Sequence, residues 1–232
     1  VRQLIHGLSA PAPQQGPFEV IGFTGGAFQE NGYLLRCRVT GRFAVVDPGA
    51  SVVAMIHHIE RSGGEVEAIL LTHAHIDHVE GIPALMERFP APIYLHPGDG
   101  ELYTGVRGQA SLFGLRFDQE LPAPSHPLAS GESLSIGEGS LLVRAVPGHS
   151  PGHVLFYESE GGFALVGDLI FSGSIGRTDL PGGSLDELLD SIRREVLTLP
   201  DETVLLPGHG AETTVGRERG SNPFLLSPRS RG

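Results

Sequence analysis

The amino-acid sequence predicts a layered α/β sandwich. Three observations carry this. Short apolar runs closed by turn residues outnumber the amphipathic segments. Each amphipathic segment lies between two such runs. Gly (33) and Pro (18) are numerous enough to supply the turns that many short elements require.

Residues 18–23, 32–39 and 43–46 read as strands, the third ending in Asp47-Pro48-Gly49. Residues 51–61 place Val52, Val53, Ile56 and Ile59 at helical spacing and stop before Gly63-Gly64. Residues 68–71 form a strand of the buried type. A helix is predicted over about 79–89 and a strand over 93–95. The stretch 97–130, with Pro122, Pro124 and Pro127, predicts an irregular surface excursion containing some helix. Strands follow at 133–136, 141–146, 154–157 and 163–166. Residues 185–197 form an amphipathic helix with Asp186 and Glu187 in its first turn, where carboxylates suit the helix dipole. Residues 203–206 are the last strand. Residues 9–17 are rich in Pro and Gln, so 1–17 are expected to be a flexible leader, 18–226 one domain and 227–232 a C-terminal tail.

Composition narrows the function. The formal net charge of −11 lacks the basic footprint of a nucleic-acid binder. All the basic residues are Arg, and without Lys no Schiff-base or Lys general-base mechanism is possible. Cys37 is the one cysteine, so no intrachain disulfide forms. It sits between Arg36 and Arg38 on an alternating strand and reads as an inward-facing small hydrophobe. No stretch approaches membrane-spanning length. The expectation is a soluble cytoplasmic protein acting on a small molecule.

The chemistry concentrates in Thr72-His73-Ala74-His75-Ile76-Asp77-His78, which follows a buried strand and precedes a helix. On an extended loop residues i and i+2 point the same way, so His73 and His75 can bind one ion together. Asp77 and His78, where the helix begins, can turn to a second. Three further residues lie just beyond strands: His149 in Pro147-Gly148-His149, Asp168 in Val166-Gly167-Asp168, and His209 in Pro207-Gly208-His209-Gly210. A lone HxH is a weak signal. HxHxDH followed by strand-end His, Asp and His is a strong one. Imidazole and carboxylate suit zinc, and also iron or manganese. The remaining histidines have plainer readings. His57 and His58 lie on a solvated helix face, His96 is a surface or capping residue, His6 and His126 are exposed, and His153 supports the loop of His149.

With these residues in place, the chain resembles the metallo-β-lactamase superfamily. Within it, the sequence is similar to the short bacterial glyoxalase II-like (hydroxyacylglutathione hydrolase-like) proteins. Thr72–His78, Pro147–Val154, Gly176-Arg177-Thr178-Asp179-Leu180-Pro181-Gly182-Gly183, Pro207–Gly210 and Asn222-Pro223-Phe224-Leu225 carry the likeness, together with Glu30-Asn31-Gly32-Tyr33 and Val46–Gly49. The resemblance implies a four-layer αββα sandwich with its site at one edge between the sheets. It implies one metal on His73, His75 and His149, a second on Asp77, His78 and His209, and Asp168 bridging the two. Asp77 and Asp168 are assigned catalytic as well as ligand roles, and Asp47 is expected to orient a ligand without touching metal. The reaction implied is hydrolysis of an acyl-thiol by water activated between the ions, with no Ser, Cys or Lys nucleophile. Arg177 could grip a substrate carboxylate, or could instead pair with Asp179 in its own loop. Two alternatives share these residues. One is a mononuclear iron persulfide dioxygenase using His73, His149 and Asp168. The other is a different hydrolase of the superfamily, such as a lactonase.

Overall fold

The computed structural model describes residues 15–226. His6, most of the expected leader and the expected tail lie outside the described residues. Residues 15–17 are described, and the Pro17 carbonyl accepts from the Arg38 N–H at 2.9 Å.

The first sheet orders six strands in sequence: β1 (Phe18–Gly25), β2 (Glu30–Cys37), β3 (Phe43–Val46), β4 (Val66–Leu70), β5 (Ile93–Leu95) and β6 (His126–Pro127). β1, β2 and β3 pair antiparallel, whereas β3 to β6 run parallel. Helix α1 (Val52–Ser62) makes the crossover from β3 to β4. Helices α2 (Ile76–Val79) and α3 (Ile82–Arg88) make the next, and α4 (Gly100–Thr104) and α5 (Val106–Leu112) lie between β5 and β6. The second sheet is built from β7 (Ser133–Ile136), β8 (Gly139–Ala145), β9 (Val154–Glu158) and β10 (Phe163–Gly167), which pair antiparallel in turn. A small ribbon of β11 (Ile170–Phe171) and β12 (Ser174–Ile175) and helix α6 (Leu185–Ser191) then precede β13 (Val204–Pro207), which pairs parallel to β10. The edge strand β14 (Thr213–Thr214) and helices α7 (Val215–Ser221) and α8 (Pro223–Leu226) complete the described chain. None of the described helices is long and apolar enough to cross a membrane.

The layers follow from strand alternation. Leu35, Ala44, Val46 and Leu70 of the first sheet face Val143, Phe156, Leu165 and Leu206 of the second, in a core between the sheets. The intervening residues Leu34, Val45 and Ile69 face outward onto Val52, Met55, Ile59 and Leu85 of α1 and α3. On the far side Leu155, Ala164 and Leu205 pack against Leu188, Ile192 and Val196. Both faces of each sheet are covered, so the central strands read as unbroken apolar runs. The order helix, sheet, sheet, helix is the αββα sandwich.

Four expectations are corrected. The helix expected over about 79–89 begins only after Gly81, as α3, while α2 ends at Val79: the Gly81 N–H binds the Pro48 carbonyl at 2.9 Å, and a side chain there would strike the Gly49 carbonyl. The helix over 185–197 widens into a π-turn at Ile192–Val196, and there Arg144 Nη1 donates to the Glu195 carbonyl at 3.0 Å. The stretch 97–130 holds the helix expected of it, as α4 and α5, but adds the sixth strand of the first sheet; Tyr103, Val106 and Ala110, spaced three and four apart, are buried. His58 is half-buried, its ring edge-on to Phe23 and Phe43, whereas His57 is exposed.

Candidate metal centre

Five loops at strand ends converge at one edge of the sandwich. The turn after β3 carries Asp47, the segment after β4 carries Thr72 to His78, the turn after β8 carries His149, and those after β10 and β13 carry Asp168 and His209. All seven candidate ligands come together here, and the rigid sheets behind them fix their spacing. His73 Nε2 lies 3.2 Å from His149 Nε2, which lies 2.8 Å from His75 Nδ1. Asp77 Oδ2 is 3.2 Å from His209 Nε2 and 3.9 Å from His78 Nε2. Asp168 stands between the groups: Oδ2 is 3.6 Å from His149 Nε2 and 3.4 Å from His209 Nε2, and Oδ1 is 3.5 Å from His78 Nε2.

The outward nitrogens of four histidines are already engaged. His73 Nδ1 meets Thr72 Oγ1 at 3.0 Å, His78 Nδ1 meets Asp47 Oδ2 at 3.1 Å, His149 Nδ1 meets the Arg177 carbonyl at 2.8 Å, and His209 Nδ1 meets the Phe28 carbonyl at 3.1 Å. Each contact fixes a ring and leaves Nε2 facing the cluster, the arrangement by which a carbonyl or carboxylate orients a metal-binding imidazole. The inward atoms test whether an ion fits. His78 Nε2 and Asp168 Oδ1 are buried and make no hydrogen bond among the described residues. Leaving such atoms bare is costly, and a cation between them would satisfy both. Gly208 keeps the space open, since a side chain there would meet Asp168 Oδ1 and the His78 ring. Two separate triads, His73/His75/His149 and Asp77/His78/His209, present donor atoms close enough to hold an ion each. Asp47 with His73 and His78 makes a third grouping by distance. The Asp47 carboxylate is committed elsewhere, however, accepting from Thr72 N at 2.8 Å and from Thr72 Oγ1 at 2.6 Å.

The electrostatics divide the centre. Burial, then the neighbouring imidazoles, hold His73 well below its ordinary pKa and His75 at about 3. Burial acts in the same direction on His78 and His209, but the Asp77 and Asp168 carboxylates outweigh it. They raise His78 well above the usual range and His209 to about 10. Burial pushes Asp168 upward, and His78 and His209 more than reverse this, leaving it well below an ordinary carboxyl.

Sequence reasoning did not single out Thr72 or Asp99. Asp99 is fully buried and ties the two histidine loops together. Its Oδ2 accepts from Ala74 N at 3.0 Å and Ser150 Oγ at 2.8 Å, and its Oδ1 from Gly152 N at 2.6 Å. In the sequence it sits in Pro97-Gly98-Asp99-Gly100, which reads as a turn. His153 lies behind the centre, with Nε2 accepting from the Asp168 N–H at 3.1 Å. His96 Nδ1 accepts from Gly98 N at 3.2 Å, as a capping residue does. Arg177 reaches the cavity rim, and its Nε and Nη2 bind the two Asp179 oxygens at 2.7 and 2.8 Å.

The model of the metallo-beta-lactamase superfamily matches residues 25–209. The hydroxyacylglutathione hydrolase GloC of Haemophilus influenzae is 39% identical over 186 residues, covering 79% of this chain and 87% of that protein. A solved structure described as TTHA1623 in a di-iron-bound form is 44% identical with a TM-score of 0.81, covering 88% of this chain and 99% of the other. The BLEG-1 B3 metallo-beta-lactamase is 37% identical with a TM-score of 0.83, covering 90% of this chain and 100% of the other. With the αββα layers and the paired His/Asp triads at the sheet edge, these likenesses show that the chain belongs to the metallo-β-lactamase superfamily.

Proposed function

We propose that the protein is a dinuclear metal-dependent thioester hydrolase of the hydroxyacylglutathione hydrolase type. The observation that carries this is Asp168, one carboxylate within 3.6 Å of ligand atoms from both triads, which would let it serve both ions. His73, His75 and His149 would hold one ion, and Asp77, His78 and His209 the other. Zinc is the ion proposed. The di-iron relative supports the two-ion stoichiometry and makes iron the competing occupant. When bound, such a pair supplies a water of lowered pKa and a Lewis acid for the carbonyl.

The chain's own groups do the rest. Asp47 and Thr72 lock the His78 and His73 rings. The Phe28 and Arg177 carbonyls do the same for His209 and His149. The cavity in front of the cluster, about 340 Å³, admits a small acyl group. Water adds to the acyl carbon, the C–S bond breaks, and a carboxylic acid and a free thiol leave. A thiolate departs readily, which fits a site where Arg177, the one ionisable residue besides the candidate ligands among the described lining residues, is bound to Asp179. A single-iron persulfide dioxygenase would share these residues and use only His73, His149 and Asp168, so the number of ions per chain separates the two readings.

The test is hydrolysis of S-D-lactoylglutathione by metal-loaded protein, with metal counted per chain. Turnover with two ions per chain, lost at least about a hundredfold in Asp168→Ala because that variant lacks the carboxylate shared by the two triads, is expected. One iron per chain and no thioester cleavage would defeat the reading.

A further inference from the structure

Outside the cluster, the cavity walls are mostly apolar: Phe28, Phe113, Phe171, Ile175 and Leu180, with Ser174 and Arg177 the polar exceptions. The three phenylalanines arrive from distant parts of the chain, the β1–β2 turn, the end of α5 and strand β11. Phe28 and Phe113 meet edge to face, with centroids 5.2 Å apart at 76°. Phe171 lies edge-on to His209 at 6.1 Å. Phe113 is 38% exposed, so this wall is open to solvent. A concave apolar wall left open beside a polar cluster is what a ligand's apolar arm covers.

The charged side of the ledger points the same way. Arg177 is the one Arg among the residues lining the cavity, and the chain has no Lys. Nε and Nη2 of its guanidinium are engaged by Asp179. A glutathione arm brings two carboxylates and finds a single cation among these lining residues, already paired with Asp179. An aryl or alkyl arm finds three aromatic rings.

We propose that the site selects thioesters whose thiol arm is uncharged and apolar, packed among Phe28, Phe113 and Phe171, over thioesters of glutathione. This rests on the acyl-thiol reading above and specifies the thiol.

Two substrates that share an acyl group test it: S-D-lactoylglutathione and the D-lactoyl thioester of benzyl mercaptan. Metal-loaded protein is expected to show kcat/KM about tenfold or more higher for the benzyl compound, the scale of burying one aromatic arm. Calorimetric affinity for benzyl mercaptan over glutathione should run in the same order. Phe113→Ala, at a half-open helix end, should lower kcat/KM for the benzyl thioester about tenfold, through KM, and affect the glutathione thioester much less. Asp179→Asn frees Arg177 and should raise kcat/KM for the glutathione thioester several-fold. A preference of the unaltered protein for the glutathione thioester, with Phe113→Ala affecting both substrates alike, would overturn the proposal and leave the thioesterase reading standing. Cleavage of neither thioester by protein holding two ions would remove the reading, and the proposal with it.

Discussion

At the scale of single residues, the supports of the metal centre are as informative as the ligands. Asp99 joins the loop of His73 and His75 to the loop of His149 through three hydrogen bonds, each from a buried donor. Replacing its carboxylate with an amide keeps the shape but presents two N–H donors where acceptors are needed. Asp99→Asn is therefore expected to destabilise the fold by about 1–3 kcal/mol per donor left unpaired, and to weaken metal binding about 10–100-fold. Denaturant unfolding and a competitive metal titration measure the two effects; an unchanged metal affinity would show that the loops hold their spacing without Asp99. The residue scale is also where the sequence was most and least legible. The ligands announce themselves because four donors in six residues have little structural use. Asp99 and Thr72 do not, since the Asp99 partners lie 25 to 53 positions away and Thr72 is tied to Asp47, 25 positions away, contacts that only the fold brings together.

At the scale of elements, helix α6 holds one wall of the centre. Ser184 caps it, its Oγ accepting from Glu187 N at 3.4 Å, and the Ser184 N–H binds the Gly148 carbonyl at 2.7 Å, next to His149. Gly148 has φ +133°, and a side chain there would run into the backbone of Leu188. The buried Leu188 side chain anchors the helix on the second sheet. Leu188→Ala should cost about 2–5 kcal/mol of stability and loosen the His73/His75/His149 triad more than the other, because only the first draws a ligand from the Gly148 turn. Thermal melts of metal-free and metal-loaded protein separate the two effects; a loss shared equally by both triads would count against this coupling. Central strands such as Phe43–Val46 were legible to the residue because burial on both faces makes them continuously apolar. The region after β5 was less so: its helices are short, glycine-broken and capped by no side chain, leaving only the Tyr103, Val106, Ala110 spacing as a signal. The π-turn after α6 has an apolar pattern indistinguishable from that of an α-helix.

At the scale of the whole molecule, the two triads belong to one electrostatic unit, and this sets how the protein should respond to metal removal and pH. Metal binds the folded state alone, so ions held at 100 to 1,000 times their Kd add about 3–4 kcal/mol per site. Chelation of both ions should then lower Tm by roughly 12–30 °C in a domain of this size. Without metal, the protonated forms of His78 and His209 stand in for cations between Asp77 and Asp168. The His209 pKa is raised to about 10, above the ordinary value near 6.5, so its contribution to stability is complete below about pH 6.5 and is lost as pH rises through 10. His75, held at about 3, works in the opposite sense: its contribution is present above about pH 6.5 and lost as pH falls toward 3. An ion entering the Asp77/His78/His209 triad must displace the protons on His78 and His209, whereas His73 and His75 bring none to theirs. Zinc titrated into chelated protein near pH 7.5 should therefore bind in two steps. The second step should release close to two protons more than the first, and its affinity should climb with pH up to about 10. Calorimetry in buffers of different ionisation enthalpy counts the protons directly. Equal release in both steps would mean that the carboxylates do not hold imidazolium in the second triad, and that the division between a ready site and a protonated one is not how this protein loads its metal.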